Sequence, residues 1–160
     1  MNSKDELKAG FTNFQLISFS VGKEEYGIPI LEVQEIVRMP KITHLPQTQE
    51  FIKGIINLRG NLIPIIDLRE RFKMALENYN EMTRVIVVRT VNKQVGIIVD
   101  AVSQVLEVNE ADMEEAPDII NGLSKEYIQG IVKFNDSMII QLDVGKILST
   151  NDEIAVMQSA

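Results

Sequence analysis

Cysteine is absent from the 160 residues, and histidine occurs once, as His44. The first absence excludes a disulfide scaffold, thiol catalysis and any cysteine metal site; the second excludes a multi-histidine metal site. A basic cluster is also missing. Sixteen Lys and Arg stand against 23 Asp and Glu, for a net charge of −7. Nucleic-acid binding draws most of its affinity from phosphate neutralisation, so that class is excluded. No apolar run approaches the roughly 18 residues of a membrane span, and no charged-then-apolar signal opens the chain. Neither G-x-x-x-x-G-K-[ST] nor G-x-G-x-x-G occurs, which leaves nucleotide binding without a motif. What remains is ordinary globular composition, 45% hydrophobic and 24% charged, in a length that suits one or two small domains. The expectation is a cytoplasmic protein without direct membrane insertion and with little catalytic equipment.

Short apolar runs recur between turn residues. Phe14–Val21, Tyr26–Ile30, Leu31–Met39, Gly54–Leu58, Leu62–Leu68, Arg84–Val91, Gln94–Val99, Val102–Val108, Gly130–Phe134 and Met138–Val144 are rich in β-branched residues. That composition favours strands over helices, and many short strands between close turns indicate small barrels or a sandwich.

The runs repeat. Slid by 69 residues, Leu16–Val37 falls on Val85–Leu106, with Ile17, Gly27, Ile28 and Val33 on Ile86, Gly96, Ile97 and Val102. Sixteen of 22 pairs agree by apolar, polar or glycine class. Slid by 76, Gly54–Phe72 falls on Gly130–Leu148, and 14 of 19 pairs agree. Chance would give roughly half at this composition, so the shared order favours duplication. Units of about 60 residues are marginal alone. The reading is therefore one domain over 11–150, made of packed subdomains at about 14–76 and 82–148 that can exchange strands. The tails 1–10 and 151–160 are expected to be flexible or helical.

Helices are expected to be few and short. Asp67 and Glu70 have capping-box spacing ahead of Leu68–Leu76, Asp143 stands at the matching place before Val144–Leu148, and Asn109 suits a further cap. Catalysis finds little support. His44 precedes Leu45-Pro46 with no serine or acid at a recognisable spacing, and reads as a surface or packing residue. Glu107, Glu110, Asp112, Glu114, Glu115 and Asp118 lack the ligand order and central glycine of an EF-hand, and read as a solvated face.

One asymmetry between the repeats points to function. The first copy turns through Asn57-Leu58-Arg59-Gly60-Asn61, the second through Lys133-Phe134-Asn135-Asp136-Ser137. Asn-Asp-Ser is turn chemistry. Arg59 sets a planar guanidinium on a rigid hairpin, where it can bind a partner's carboxylate or carbonyl or remain simply solvated.

Glu25-Tyr26-Gly27-Ile28, Val33-Gln34-Glu35-Ile36, Phe51 to Gly60 and Pro64-Ile65-Ile66-Asp67-Leu68-Arg69 resemble the CheW family of chemotaxis coupling proteins. Val95 to Val102 and Tyr127-Ile128-Gln129-Gly130 fit the same pattern, so the resemblance runs from about Phe14 to Leu148. It implies a mainly β fold: two SH3-like five-stranded barrels packed together, with a few short helices. It implies a non-enzymatic adaptor that couples chemoreceptors to the histidine kinase CheA, needs no cofactor or metal, is monomeric when isolated and is recruited to membrane-associated receptor arrays. Receptor contact would fall on Arg59, Asn57, Gly54, Val33 and Glu35, with Gly54 acting through backbone geometry if not by touch. Kinase contact would fall on Ile30, Arg38, Met39 and Ile42. The alternative is a small ligand-binding or enzymatic β-barrel built on His44 or the acidic loop.

Overall fold

The computed structural model describes residues 12–44, 46, 52–90, 93–120 and 123–147, without the side chains of 119, 120 and 124. The expectations for the two tails lie outside those residues. The protein is mainly β, with two packed sheets and short helices. The strands are β1 (Asn13–Val21), β2 (Glu24–Pro29), β3 (Val33–Arg38), β4 (Ile52–Leu58), β5 (Asn61–Asp67), β6 (Arg84–Arg89), β7 (Gln94–Val99), β8 (Ala101–Asn109), β9 (Met113–Glu114), β10 (Ile119–Ile120), β11 (Leu123–Ser124), β12 (Ile128–Phe134) and β13 (Ser137–Leu142). Two one-turn helices follow β5 and β13: α1 (Leu68–Arg71) and α2 (Val144–Ile147). No helix among the described residues is long and apolar enough to cross a membrane.

One sheet runs β8-β1-β2-β13-β12-β9, the other β3-β6-β7-β5-β4, and β10 pairs with β11 apart from both. Each sheet draws strands from both sequence repeats. Shifted by 69 residues, β1, β2 and β3 overlie β6, β7 and β8; shifted by 76, β4, β5 and α1 overlie β12, β13 and α2. The two sheets are therefore related by exchange of their first two strands. Strands of the two repeats meet twice in each sheet, once in a parallel pair (β2 with β13, β5 with β7) and once in an antiparallel pair (β1 with β8, β3 with β6); the pairs within a repeat are antiparallel.

Burial explains this pairing. Ile86 and Val88 of β6 point into the largest core with Phe19, Tyr26, Ile28, Ile66, Ile97 and Ile140, which come from both sheets. The alternate residues Val85 and Val87 join Ile56, Ile63, Ile65 and Ile98 in a second cluster belonging to one sheet. Leu16, Leu106, Val108, Val132 and Ile139 form the matching cluster of the other. A strand buried on both faces reads as an unbroken apolar run, which accounts for Val85-Ile86-Val87-Val88. At about 1.5–3 kcal/mol per fully buried aliphatic side chain, the shared core supplies the main force holding the sheets together.

The helix ends have local causes. The Asp67 carboxylate accepts the Arg69 amide at 2.9 Å. The predicted run to Leu76 stops early, because Lys73 adopts φ 57 and the amides of Lys73 and Met74 bond back to the carbonyls of Glu70 and Arg69. This is a left-handed C-terminal cap, here built on lysine rather than glycine. Asp143 accepts the Lys146 amide, and Asn109 caps the 3-10 turn Glu110–Asp112.

Candidate functional site

The hairpin β4–β5 turns through Arg59 and Gly60, with φ values of 53 and 85. Two successive positive φ values suit the right-handed twist of the strands, and asparagine, aspartate or glycine normally fill them. The second copy obeys the rule, with Asn135 and Asp136 at φ 45 and 63. Arginine in that conformation costs about 1 kcal/mol. The turn is braced by the Asn57 side chain, whose Oδ1 accepts the Gly60 amide at 2.9 Å. Arg59 then reaches across to β3, where its two terminal nitrogens donate to the two Glu35 oxygens at 2.7 and 2.5 Å. The Arg59 side chain remains 73% exposed, while that of Glu35 is largely covered. Since β3 and β4 are the two edges of their sheet, this bidentate pair clasps the edges together.

The other expected receptor residues sit at different depths. Asn57 is exposed beside the turn. Val33 begins β3, opposite Val88, and packs half-buried against the shared core. Gly54 is buried in β4 at φ 152, beside a bulge in the β4–β5 ladder. Leu62 lies directly across from Asn57 and is 62% exposed beside fully buried Ile63. Sequence reasoning passed over it, although the inward register of Ile63 and Ile65 turns Leu62 outward.

The expected kinase residues divide. Arg38 ends β3, and Met39 and Ile42 continue from it as a half-buried strap over the second cluster. Thr43 then pairs with Ile55 of β4 through amide–carbonyl bonds of 2.9 and 2.8 Å. Ile30 belongs to the 3-10 turn before β3, beyond Val33, which is itself about 17 Å from Arg38 along the strand. Its neighbour Leu31 is 95% exposed. His44 lies next to the strap, with Nδ1 2.9 Å from the Lys53 carbonyl oxygen; the tautomer carrying hydrogen on Nδ1 donates there. All six acidic residues between Glu107 and Asp118 are exposed.

A second charged group, around Arg69, was not assembled from sequence, where Asp67 and Glu70 read only as a helix cap. Arg69 is 8% exposed and Asp67 2%. Arg69 donates to both Asp100 oxygens, at 3.0 and 2.5 Å, and to the Ala75 carbonyl at 2.9 Å. The hydrogen bond it donates to Asp100 holds the guanidinium above its ordinary pKa. Asp100 also accepts the Gly22 amide, and its own amide donates to the Ser20 carbonyl, so the network joins the two sheets. The Tyr79 hydroxyl donates to Asp67 at 2.8 Å, and burial followed by that hydrogen bond raises its pKa. Lys53 pairs with Glu70 nearby. These groups satisfy one another and brace the fold.

Fold and site together define a small two-sheet β protein that carries an exposed, clasped hairpin tip and a half-buried strap, the equipment of a binding scaffold. The chain belongs to the CheW-like domain family, whose model matches residues 15–152. It is 41% identical over 145 residues to the chemotaxis protein CheW of Klebsiella aerogenes, covering 91% of this chain and 87% of that protein. It is 37% identical over 143 residues to the CheW of Treponema pallidum, covering 87% and 84% respectively. Among solved structures it resembles the scaffolding protein TtCheW of Thermoanaerobacter tengcongensis, with a TM-score of 0.81 and 36% identity over 88% of this chain and 91% of that one.

Proposed function

We propose that this protein is a chemotaxis adaptor that couples chemoreceptors to the histidine kinase CheA and helps build the signalling array without catalysing a reaction. It works in the cytoplasm, as a monomer when isolated, and is recruited to receptor arrays. Each sheet closes with its own inner cluster as a barrel. Family membership supports the adaptor role. The observation that carries the receptor surface is Arg59, held in a left-handed conformation with its guanidinium exposed beside Asn57 and anchored by Glu35. A strained arginine where the second copy has asparagine is maintained for what it presents. The Arg38–Met39–Ile42 strap is the kinase-facing surface.

A pull-down with a purified receptor cytoplasmic fragment and purified CheA, singly and together, tests the reading. Each partner should be retained alone, and the receptor fragment should retain more CheA when this protein is present. Retention of neither partner would overturn it.

A further inference from the structure

Gly54 and Gly130 occupy equivalent places in the two repeats, yet their surroundings differ. At Gly130 an added Cβ would come within 2.4 Å of Met113 Cε, the end of a flexible side chain that can swing away. At Gly54 an added Cβ would lie 2.1 Å from the Thr43 carbonyl oxygen, 2.8 Å from its carbon and 2.9 Å from Ile42 Cγ2. A backbone carbonyl engaged by the Ile55 amide cannot yield without breaking that bond. The φ of 152 disfavours any side chain at this position independently. Gly54 is also buried, so a macromolecular partner cannot reach it.

We infer that Gly54 is a positioning residue for the kinase-facing strap: it is the crossing point at which residues 39–43 are laid on β4, and it sets the height of Met39 and Ile42. This rests on the two-surface reading above but moves Gly54 from the receptor side, where the family resemblance put it, to the kinase side. The strap leaves β3 at Arg38, packs Met39 and Ile42 on the second cluster, and is tied down through Thr43 and Ile55. A side chain at 54 lifts the tie itself. The hairpin tip carrying Arg59 lies beyond Asn57 on the same hairpin, and its clasp is made to Glu35 of β3, not to the strap.

Three full-length variants test this, each measured against a purified receptor cytoplasmic fragment and purified CheA, with amide hydrogen exchange on the free proteins. Gly54→Ala should speed exchange at Thr43 and Ile55 at least tenfold while Ile86 in β6 stays protected. It should weaken CheA binding about tenfold and receptor binding less than threefold. Thr43→Pro removes one amide of the tie and leaves residue 54 untouched. It should reproduce the partner split, and combining it with Gly54→Ala should add little. Gly130→Ala should change neither binding. Tenfold loss of receptor binding with CheA binding intact in Gly54→Ala would overturn the inference, as would unchanged exchange at Thr43 and Ile55. If Gly54→Ala fails to fold, Thr43→Pro decides alone: retained CheA binding overturns the inference, and loss of CheA binding with receptor binding kept upholds the strap tie through which Gly54 would act. Absence of binding by the unmodified protein refutes the adaptor reading, whereas the exchange rates of the variants still decide whether Gly54 sets the strap.

Discussion

Arg59 and Glu35 meet through two hydrogen bonds of 2.7 and 2.5 Å, and so connect the tip of one hairpin to the edge strand β3. An exposed pair of this kind contributes about 0–1 kcal/mol, and the left-handed backbone at Arg59 costs about as much. The clasp therefore adds little net stability. What it supplies is orientation: the guanidinium is held in one direction while most of the Arg59 side chain stays open to solvent.

Replacing Arg59 by asparagine should accordingly be neutral or slightly stabilising, by up to about 1 kcal/mol, because asparagine accepts positive φ and only an exposed pair is lost. Urea unfolding of Arg59→Asn checks this. A loss of more than 2 kcal/mol would show that the clasp holds the fold together.

Arg69 should behave in the opposite way. Its guanidinium is covered and bonds Asp100 and the Ala75 carbonyl. Arg69→Met leaves those acceptors without their donor and should destabilise the protein by about 2–4 kcal/mol. Chemical denaturation measures the difference.

Glu32 predicts a pH effect. Burial, followed by the nearby Asp143 charge, raises its pKa above the ordinary 4.5, and its buried Oε2 has no hydrogen-bond partner among the described residues. The folded state thus holds the Glu32 proton more tightly than the unfolded chain does. This contribution opposes folding at neutral pH, and the opposition is relieved as pH falls through the folded pKa toward 4.5. Glu32→Gln should raise Tm at pH 7, with the gain shrinking as pH drops. Thermal melts across pH 7 to 4.5 test the sign.

Strand exchange makes the halves interdependent. In the sheet containing β3, β4 and β5, the strands β6 and β7 separate β3 from β5. A fragment ending at Met82 lacks both, so circular dichroism should show no cooperative fold for 1–82 and a single transition for the full chain. A stable fragment would contradict the shared core.

Strand positions were legible in the sequence because β-branched runs such as Val85–Val88 are bounded by clear turns. Which strands share a sheet was not. Ile86 and Val85 are equally apolar, and nothing local says that one faces the other sheet and the other its own cluster. The early end of α1 was hidden because Lys73, not glycine, adopts the left-handed cap. Arg59 stood out by contrast with Asn135, but its partner Glu35, 24 residues away, entered only through family resemblance. Arg69 escaped notice because its acceptors come from Asp100 and Ala75, remote or nondescript in sequence.

The most direct test of the two-surface account is the binding of Arg59→Glu to a receptor cytoplasmic fragment and to CheA, with Asn135→Ala as the control from the equivalent turn. A charge-assisted contact of this kind contributes about 1.5–3 kcal/mol, or roughly tenfold to a hundredfold in affinity. Receptor binding by Arg59→Glu should fall by that factor or more, while CheA binding and the folding transition stay within about twofold and 1 kcal/mol of the unmodified protein, and Asn135→Ala should bind both partners normally. Unchanged receptor affinity in a folded Arg59→Glu protein would contradict the account.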